Sequence, residues 1–270
     1  MSHGASMMEN AEPIAPVDGT GRRWMPLAML ALGAAILAIV GGYFVYSQVA
    51  RSNLGDLNYY VGDDKVDGPG QQTSIFPGNL VPSLAWTDPR WADVDYVGYA
   101  SVLEGFTSPA GSGLPAEPGE LSPPALIRIP SIALSSTVEE LAVVNYGDAS
   151  SWETPKNIVG HIPTTPNPGT MGNVYLFGHL QSPVRGEGSV FRNLARVPDL
   201  LRQGEKVYVV LQNEEGAEFL YRVTKTSVVH QDDFAVLPSP EAVITMVACV
   251  PAYVYDHRLL VTGELVGVRG

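Results

Sequence analysis

The sequence predicts a mostly β domain of barrel or sandwich type with short helices, preceded by one transmembrane helix and a linker. Three observations carry this expectation. Residues 27–46 (LAMLALGAAILAIVGGYFVY) are uncharged over twenty positions, about the length a helix needs to cross roughly 30 Å of hydrocarbon. Residues 109–124 (PAGSGLPAEPGELSPP) are dense in proline and glycine, the composition of a linker. From Ala125 onward, short β-branched and aromatic runs are separated by turn residues, the texture of an all-β domain.

The span is expected at 24–46, with Trp24 at one end and Tyr43 and Tyr46 at the other, where amphipathic rings suit the membrane interface. Arg22 and Arg23 abut its N-terminal end, whereas residues 52–124 hold ten acidic and two basic side chains. Basic residues are retained inside, so 1–23 is expected in the cytoplasm and everything after Tyr46 outside. A cleaved signal peptide is the rival reading. Its apolar core would be long, and Gln48-Val49-Ala50 is a poor small-x-small cleavage site. Residues 47–124 read as an extracytoplasmic stalk or linker, with a short helix expected near 93–103 and a boundary near Pro124.

Composition narrows the function classes. An apolar share of 45% excludes wholesale disorder and suits one folded domain with appendages. The formal charge of -12 argues against nucleic acid as a partner, because displacing phosphate counterions needs lysine and arginine. One cysteine, Cys249, excludes an internal disulfide and any multi-cysteine zinc site.

Within 125–270 the strands are expected at 125–129, 157–161, 173–178, 206–212, 218–229, 243–249 and 258–267. Asn213-Glu214-Glu215-Gly216 reads as a hairpin turn, with glycine supplying positive φ. Residues 189–197 (SVFRNLARV) read as a short helix with Ser189 as N-cap.

Two apolar runs end at reactive groups. GNVYLFGH ends at His179 and VITMVAC at Cys249, while Arg258 opens the following strand, RLLVTGEL. A thiolate attacks carbonyls, and an imidazole beside it can take or share the proton. Arginine stays cationic and donates to an oxygen on which negative charge develops. Together the three residue types suffice for acyl transfer. Each also has a structural reading: cysteine as a small buried hydrophobe, histidine as a hydrogen-bonded passenger, arginine as an ion-pair partner.

From about Ala125 to Val268 the chain resembles a sortase, the cysteine transpeptidase family of bacterial cell surfaces. Leu126-Ile127-Arg128-Ile129-Pro130-Ser131-Ile132 is similar to the family's opening strand and Ile-Pro-x-Ile turn. The 172–179 run resembles the strand leading to its histidine, and Phe191-Arg192-Asn193-Leu194 followed by Gly204-Glu205-Lys206-Val207 the helix and strand after it. Thr245-Met246-Val247-Ala248-Cys249 is similar to the Thr-Leu-x-Thr-Cys signature, and Arg258-Leu259-Leu260-Val261 to the arginine strand. One position departs in character: Ala248 stands where threonine is usual, and the lost hydroxyl predicts an altered polar contact near the peptide groove.

The resemblance implies a closed, mostly antiparallel β-barrel. It implies Cys249 as nucleophile, His179 as general acid and base, and Arg258 as oxyanion or substrate donor. The expected substrates are surface proteins bearing a C-terminal Leu-Pro-x-Thr-Gly-like motif, and the acceptor an amine of a peptidoglycan precursor or a pilin lysine. No cofactor and no metal are expected; Asp232-Asp233 is too small a set for calcium. His161, in the similar run Asn157-Ile158-Val159-Gly160-His161, is the competing histidine, while His230 and His257 read as structural or solvated. The alternative function is a non-catalytic surface module that binds peptides or partner proteins on the same barrel.

Overall fold

In a computed structural model of the protein, the described residues are 21–61, 102–117, 119–146, 149–152, 156–182, 186 and 188–270. They fall into two compact units, Met1–Val49 and Ala50–Gly270. Helix α1 (Gly21–Ser52) lies in the first except for its last three residues, which belong to the second. Among the described residues it is the one helix long and apolar enough to cross a membrane, and its leucines and isoleucines are exposed.

The second unit is a closed barrel. Its strands are β1 (Tyr59–Tyr60), β2 (Pro124–Ile129), β3 (Leu134–Glu140), β4 (Val143–Tyr146), β5 (Ala149–Trp152), β6 (Val159–His161), β7 (Gly172–Phe177), β8 (Tyr208–Asn213), β9 (Glu218–His230), β10 (Ala242–Val250) and β11 (His257–Arg269). The spatial order β9-β11-β10-β7-β6-β3-β2-β8 closes on itself because β8 also pairs with β9. β4 and β5 form a separate hairpin. Six barrel pairings are antiparallel and two, β3 with β6 and β7 with β10, are parallel. Closure gives each of the eight barrel strands a partner on both sides.

All seven expected strands are present, with their ends shifted by at most two residues. β3 escapes a pattern search because its LSSTVEE sequence buries only Leu134 and Val138. The helix expected at 189–197 is corrected: a 3-10 turn at Leu194–Arg196 leads into helix α2 (Val197–Arg202). Pro198 fixes that start, since proline fits the first helical turn, where its missing N–H costs no bond. Gly204, at φ +81°, ends the helix as its N–H bonds Leu201 O.

Side chains from all eight barrel strands fill the interior, among them Ile127, Leu134, Val159, Leu176, Leu211, Tyr221, Met246 and Val261. A second, smaller apolar cluster of Leu141, Ile162, Tyr175 and Val247 lies on the opposite face of the same strands, with Phe177, Phe234 and Leu260 against it.

Parts of the segment expected as a stalk have places on the barrel. Tyr59 and Tyr60 pair with Thr226 and Lys225 of β9, Thr226 Oγ1 donates to Leu57 O at 2.7 Å, and Val228 N donates to Asn58 Oδ1 at 2.8 Å. Thr107 bridges to Val268, and Ala116 to Thr170. The expected helix near 93–103 lies, except for its last two residues, outside the described residues.

Gly169 shows how closely the wall is packed. Its φ is +84°, and a Cβ there would stand 2.1 Å from the Phe219 ring. Its N–H also donates to the buried Tyr221 hydroxyl. Gly169→Ala is expected to destabilise the barrel by about 1–3 kcal/mol, read as a melting temperature lower by several degrees in a thermal scan.

Candidate active site at one rim of the barrel

The parallel pairing of β7 with β10 governs the site. Parallel neighbours end at the same rim, and here Val247 is the partner of Phe177. One further bond extends the contact, from Gly178 N to Val247 O at 3.2 Å. His179 and Cys249 each lie two residues beyond that pair, and so emerge together. On the other flank of β10 the strand is antiparallel, with Arg258 as the register partner of Cys249. Directly opposed residues sit with Cα atoms about 4.5–5.5 Å apart and project to one face. The three residues singled out in the sequence thus lie on three adjacent strands or strand extensions at one end of the barrel.

Local sequence explains each placement. Gly178 lies under Phe191 and Val190, and a Cβ would approach both to 2.7 Å, so only glycine lets the chain leave β7 there. Phe191 N then holds His179 O at 2.9 Å. Cys249 shares its face with Val247 and Thr245, because side chains alternate along a strand. That face carries the second apolar cluster, and so the thiol opens outward rather than into the barrel.

The same alternation overturns the expectation for Ala248. Its side chain is 1% exposed and packs in the barrel interior, away from the face that carries Cys249. The absent hydroxyl therefore removes no contact from a groove on the outer face.

Electrostatics at the rim are mixed. Burial pushes the Cys249 thiol up, and the Arg258 charge offsets part of that rise. Arg258 Nη1 donates to Tyr255 O at 2.8 Å and His257 O at 3.0 Å, fixing the guanidinium against its own loop. Asp256 stands next to this loop's end, accepting from Arg51 Nε at 2.8 Å and from His257 Nδ1 at 2.7 Å. Burial alone would raise its carboxyl, but the bonds and charges of His257 and Arg51 hold it below the ordinary range.

His161 is distinct from this site. It is fully buried in β6, Thr165 Oγ1 lies 3.2 Å from Nε2, and burial lowers its pKa to about 4 despite a bond to Pro166 O. The Glu140 carboxylate is 3.8 Å from Nδ1, too far for a hydrogen bond. It is thus a neutral core histidine near pH 7. His257 and His230 are register partners whose rings meet edge to face at 5.0 Å. His257 is one residue out of phase with Arg258 and so projects to the other face. Asp232 and Asp233 sit in a 3-10 turn, and no group of three or more metal-ligand side chains forms among the described residues.

The profile of the sortase domain family matches residues 127–266, just over half of the 270-residue chain. The chain belongs to the sortase family. Solved structures similar to this sortase include sortase C1 of Streptococcus agalactiae, with 23% identity over 53% of this chain and 66% of that one, at a TM-score of 0.39. The match thus spans slightly under two thirds of that relative. Sortase A of Listeria monocytogenes shares 18% identity over 54% of this chain and 88% of its own, at a TM-score of 0.40. A lid mutant of sortase A from Corynebacterium diphtheriae shares 24% over 56% and 72%, at 0.38. No curated protein matches significantly.

Sequence reasoning did not find the supporting residues. Phe191, Tyr255 and Asp256 act through partners distant in the chain, for which the sequence carries no local signal, whereas Gly178 had one, as a glycine between an apolar run and a histidine.

Two expectations follow for this sortase. Alkylation of Cys249 by iodoacetamide should rise with pH through a midpoint above that of an ordinary thiol, and Arg258→Met should move it higher still by removing the cation that favours thiolate; a midpoint below the ordinary value would contradict the burial argument. Ala248→Thr should lower the melting temperature by burying a hydroxyl in the core, while the pH midpoint of Cys249 alkylation stays as in the parent.

Proposed function

We propose that the protein is a membrane-anchored cysteine transpeptidase that cleaves a Leu-Pro-x-Thr-Gly-like sorting motif and passes the acyl group to an amine. The observation that carries this reading is the register: the chain's single thiol stands opposite an arginine on one neighbouring strand and beside the histidine-bearing end of the other. Membership of the sortase family supports the reaction class.

In this reading the Cys249 thiolate attacks the threonine carbonyl carbon, and the oxygen takes up the charge. The Arg258 guanidinium donates to that oxygen or to the substrate backbone, lowering the barrier where charge develops. As the bond from carbonyl carbon to glycine nitrogen breaks, protonated His179 gives its proton to the departing amine. A thioester remains. An incoming amine attacks it, His179 takes the amine's proton, and the carbon–sulfur bond breaks to restore the thiolate. The exchange of one amide for another needs no oxidant and no cofactor. Because burial favours the neutral thiol, a small share of molecules carries the thiolate near pH 7, so turnover is expected to be slow.

The acceptor is a peptidoglycan precursor amine or a pilin lysine, both found outside the cell. An apolar helix ahead of the catalytic domain supports anchoring through 24–46. The basic flank of that helix supports a cytoplasmic 1–23 and an extracellular catalytic domain at 125–270, with 47–124 as the joining segment.

The test is mass spectrometry of the full chain in detergent, mixed with a panel of sorting peptides and an amine. A thioester adduct on Cys249 and an amide product are expected, both lost in Cys249→Ala. His179→Ala and Arg258→Ala should each lower kcat/KM by about 10²–10⁴-fold. Neither adduct nor cleavage across a broad peptide library would instead favour a non-catalytic surface module that binds peptides.

A further inference from the structure

Two tyrosines in the 251–256 connection hold a backbone conformation that bulky residues rarely adopt, with φ +65° at Tyr253 and +61° at Tyr255. Such strain persists where the surroundings hold the residue in place, and it clusters at functional sites. Here both side chains reach the same distant residue. Tyr255 Oη donates to Gln181 O at 2.7 Å, and Gln181 Nε2 donates to Tyr253 Oη at 2.8 Å. Gln181 lies two residues past His179. At its other end Tyr255 accepts Arg258 Nη1 on its carbonyl at 2.8 Å.

We propose that Tyr255, assisted by Tyr253 and Gln181, is a latch that sets the gap between the His179 segment and the Arg258 guanidinium on either side of Cys249. Tyr255 is then a positioning residue for the acyl transfer; the inference rests on the transpeptidase reading above.

The physical need for a latch comes from where the sheet stops. β7 ends at Phe177, and the last bond between the two parallel strands is made by Gly178. Beyond it the histidine is held on one side by the Phe191 N–H. The Tyr255–Gln181 bond closes the other side. Cys249 and Arg258 are fixed by strand register, while the imidazole belongs to a segment that has left the sheet. Proton transfer to a leaving amine depends steeply on that placement. The Tyr255 hydroxyl is taken up by the Gln181 carbonyl and is not left for a bound peptide. Loosening it should therefore slow the chemistry without weakening the ground-state complex.

The test uses the full chain in detergent with a peptide the parent turns over, comparing Tyr255→Phe, Tyr253→Phe and Gln181→Ala. Tyr255→Phe should lower kcat by roughly three- to tenfold, the scale of one lost neutral hydrogen bond, with KM within about twofold and an unchanged melting temperature. Gln181→Ala keeps the carbonyl that Tyr255 uses and removes the amide that Tyr253 uses. It should match Tyr253→Phe, and both should cost less than Tyr255→Phe. If Tyr255→Phe does not fold, that matched fall in kcat carries the test. The latch is overturned by a Tyr255→Phe kcat within twofold of the parent, by a rise in KM alone, or by losses that track melting temperature in all three variants. A parent that forms no thioester on any peptide sinks the transpeptidase reading and the latch with it; an active parent with an unaffected Tyr255→Phe sinks the latch alone.

Discussion

The parallel pairing of β7 with β10 is the constraint on which the rest of the site depends. Were β7 antiparallel to its neighbour, its C-terminal end would lie at the far rim, about 20 Å away for a six-residue strand. His179 could then never meet Cys249. A parallel pair cannot be joined by a tight turn, and the chain spends helix α2 and the β8–β9 hairpin on the crossover between these two strands. The antiparallel β11 then returns from the same rim, so Arg258 begins where Cys249 ends.

Alternation along the strands divides the wall into two surfaces with different tasks. Met246 and Ala248 face inward with Leu176 and Leu259 and hold the barrel together. Thr245, Val247 and Cys249 face outward beside Tyr175, Phe177 and Leu260. Substitutions at Met246 and Ala248 therefore act on the barrel core and those at Thr245 and Val247 on the outer cluster, while Cys249 is the one position of β10 that is not fully buried. That outward cluster is itself covered, with Val247 and Tyr175 buried, and it seats the strand end that carries the thiol.

Rigidity at the rim is assembled from long-range bonds. The connection from Cys249 to Arg258 is short, carries two tyrosines at positive φ, and is tied to Gln181 on one side and through Asp256 to Arg51 on the other. Arg51 begins the segment that continues into β1 and lies along β9. Residues just after the apolar run thus belong to the frame around the arginine strand. Partial burial limits the ionisation of the thiol, and the fixed Arg258 cation offsets part of that effect.

Much of this was legible in the sequence. Continuous apolar runs in 172–177 and 242–250 mark strands buried on both faces, and reactive residues at their ends stand out because nothing in core packing asks for them. The long apolar helix was readable from length and composition alone. Other features were out of reach. β3 is polar along most of its length, and its place in the barrel comes from pairing with β2 and β6. His161 and His179 end nearly identical apolar-Gly-His runs, and burial with Thr165 and Pro166 is what makes the first a neutral core residue. Which face Ala248 takes depends on strand phase, and which residue Tyr255 reaches depends on a contact across 74 positions of chain. The sequence by itself determined seven of the strands, the long apolar helix and where thiol, imidazole and guanidinium groups fall along the chain, because these follow from local chemistry. Only the tertiary structure decided which of them meet, because strand direction, phase and loop closure are set by pairing between segments far apart in the chain.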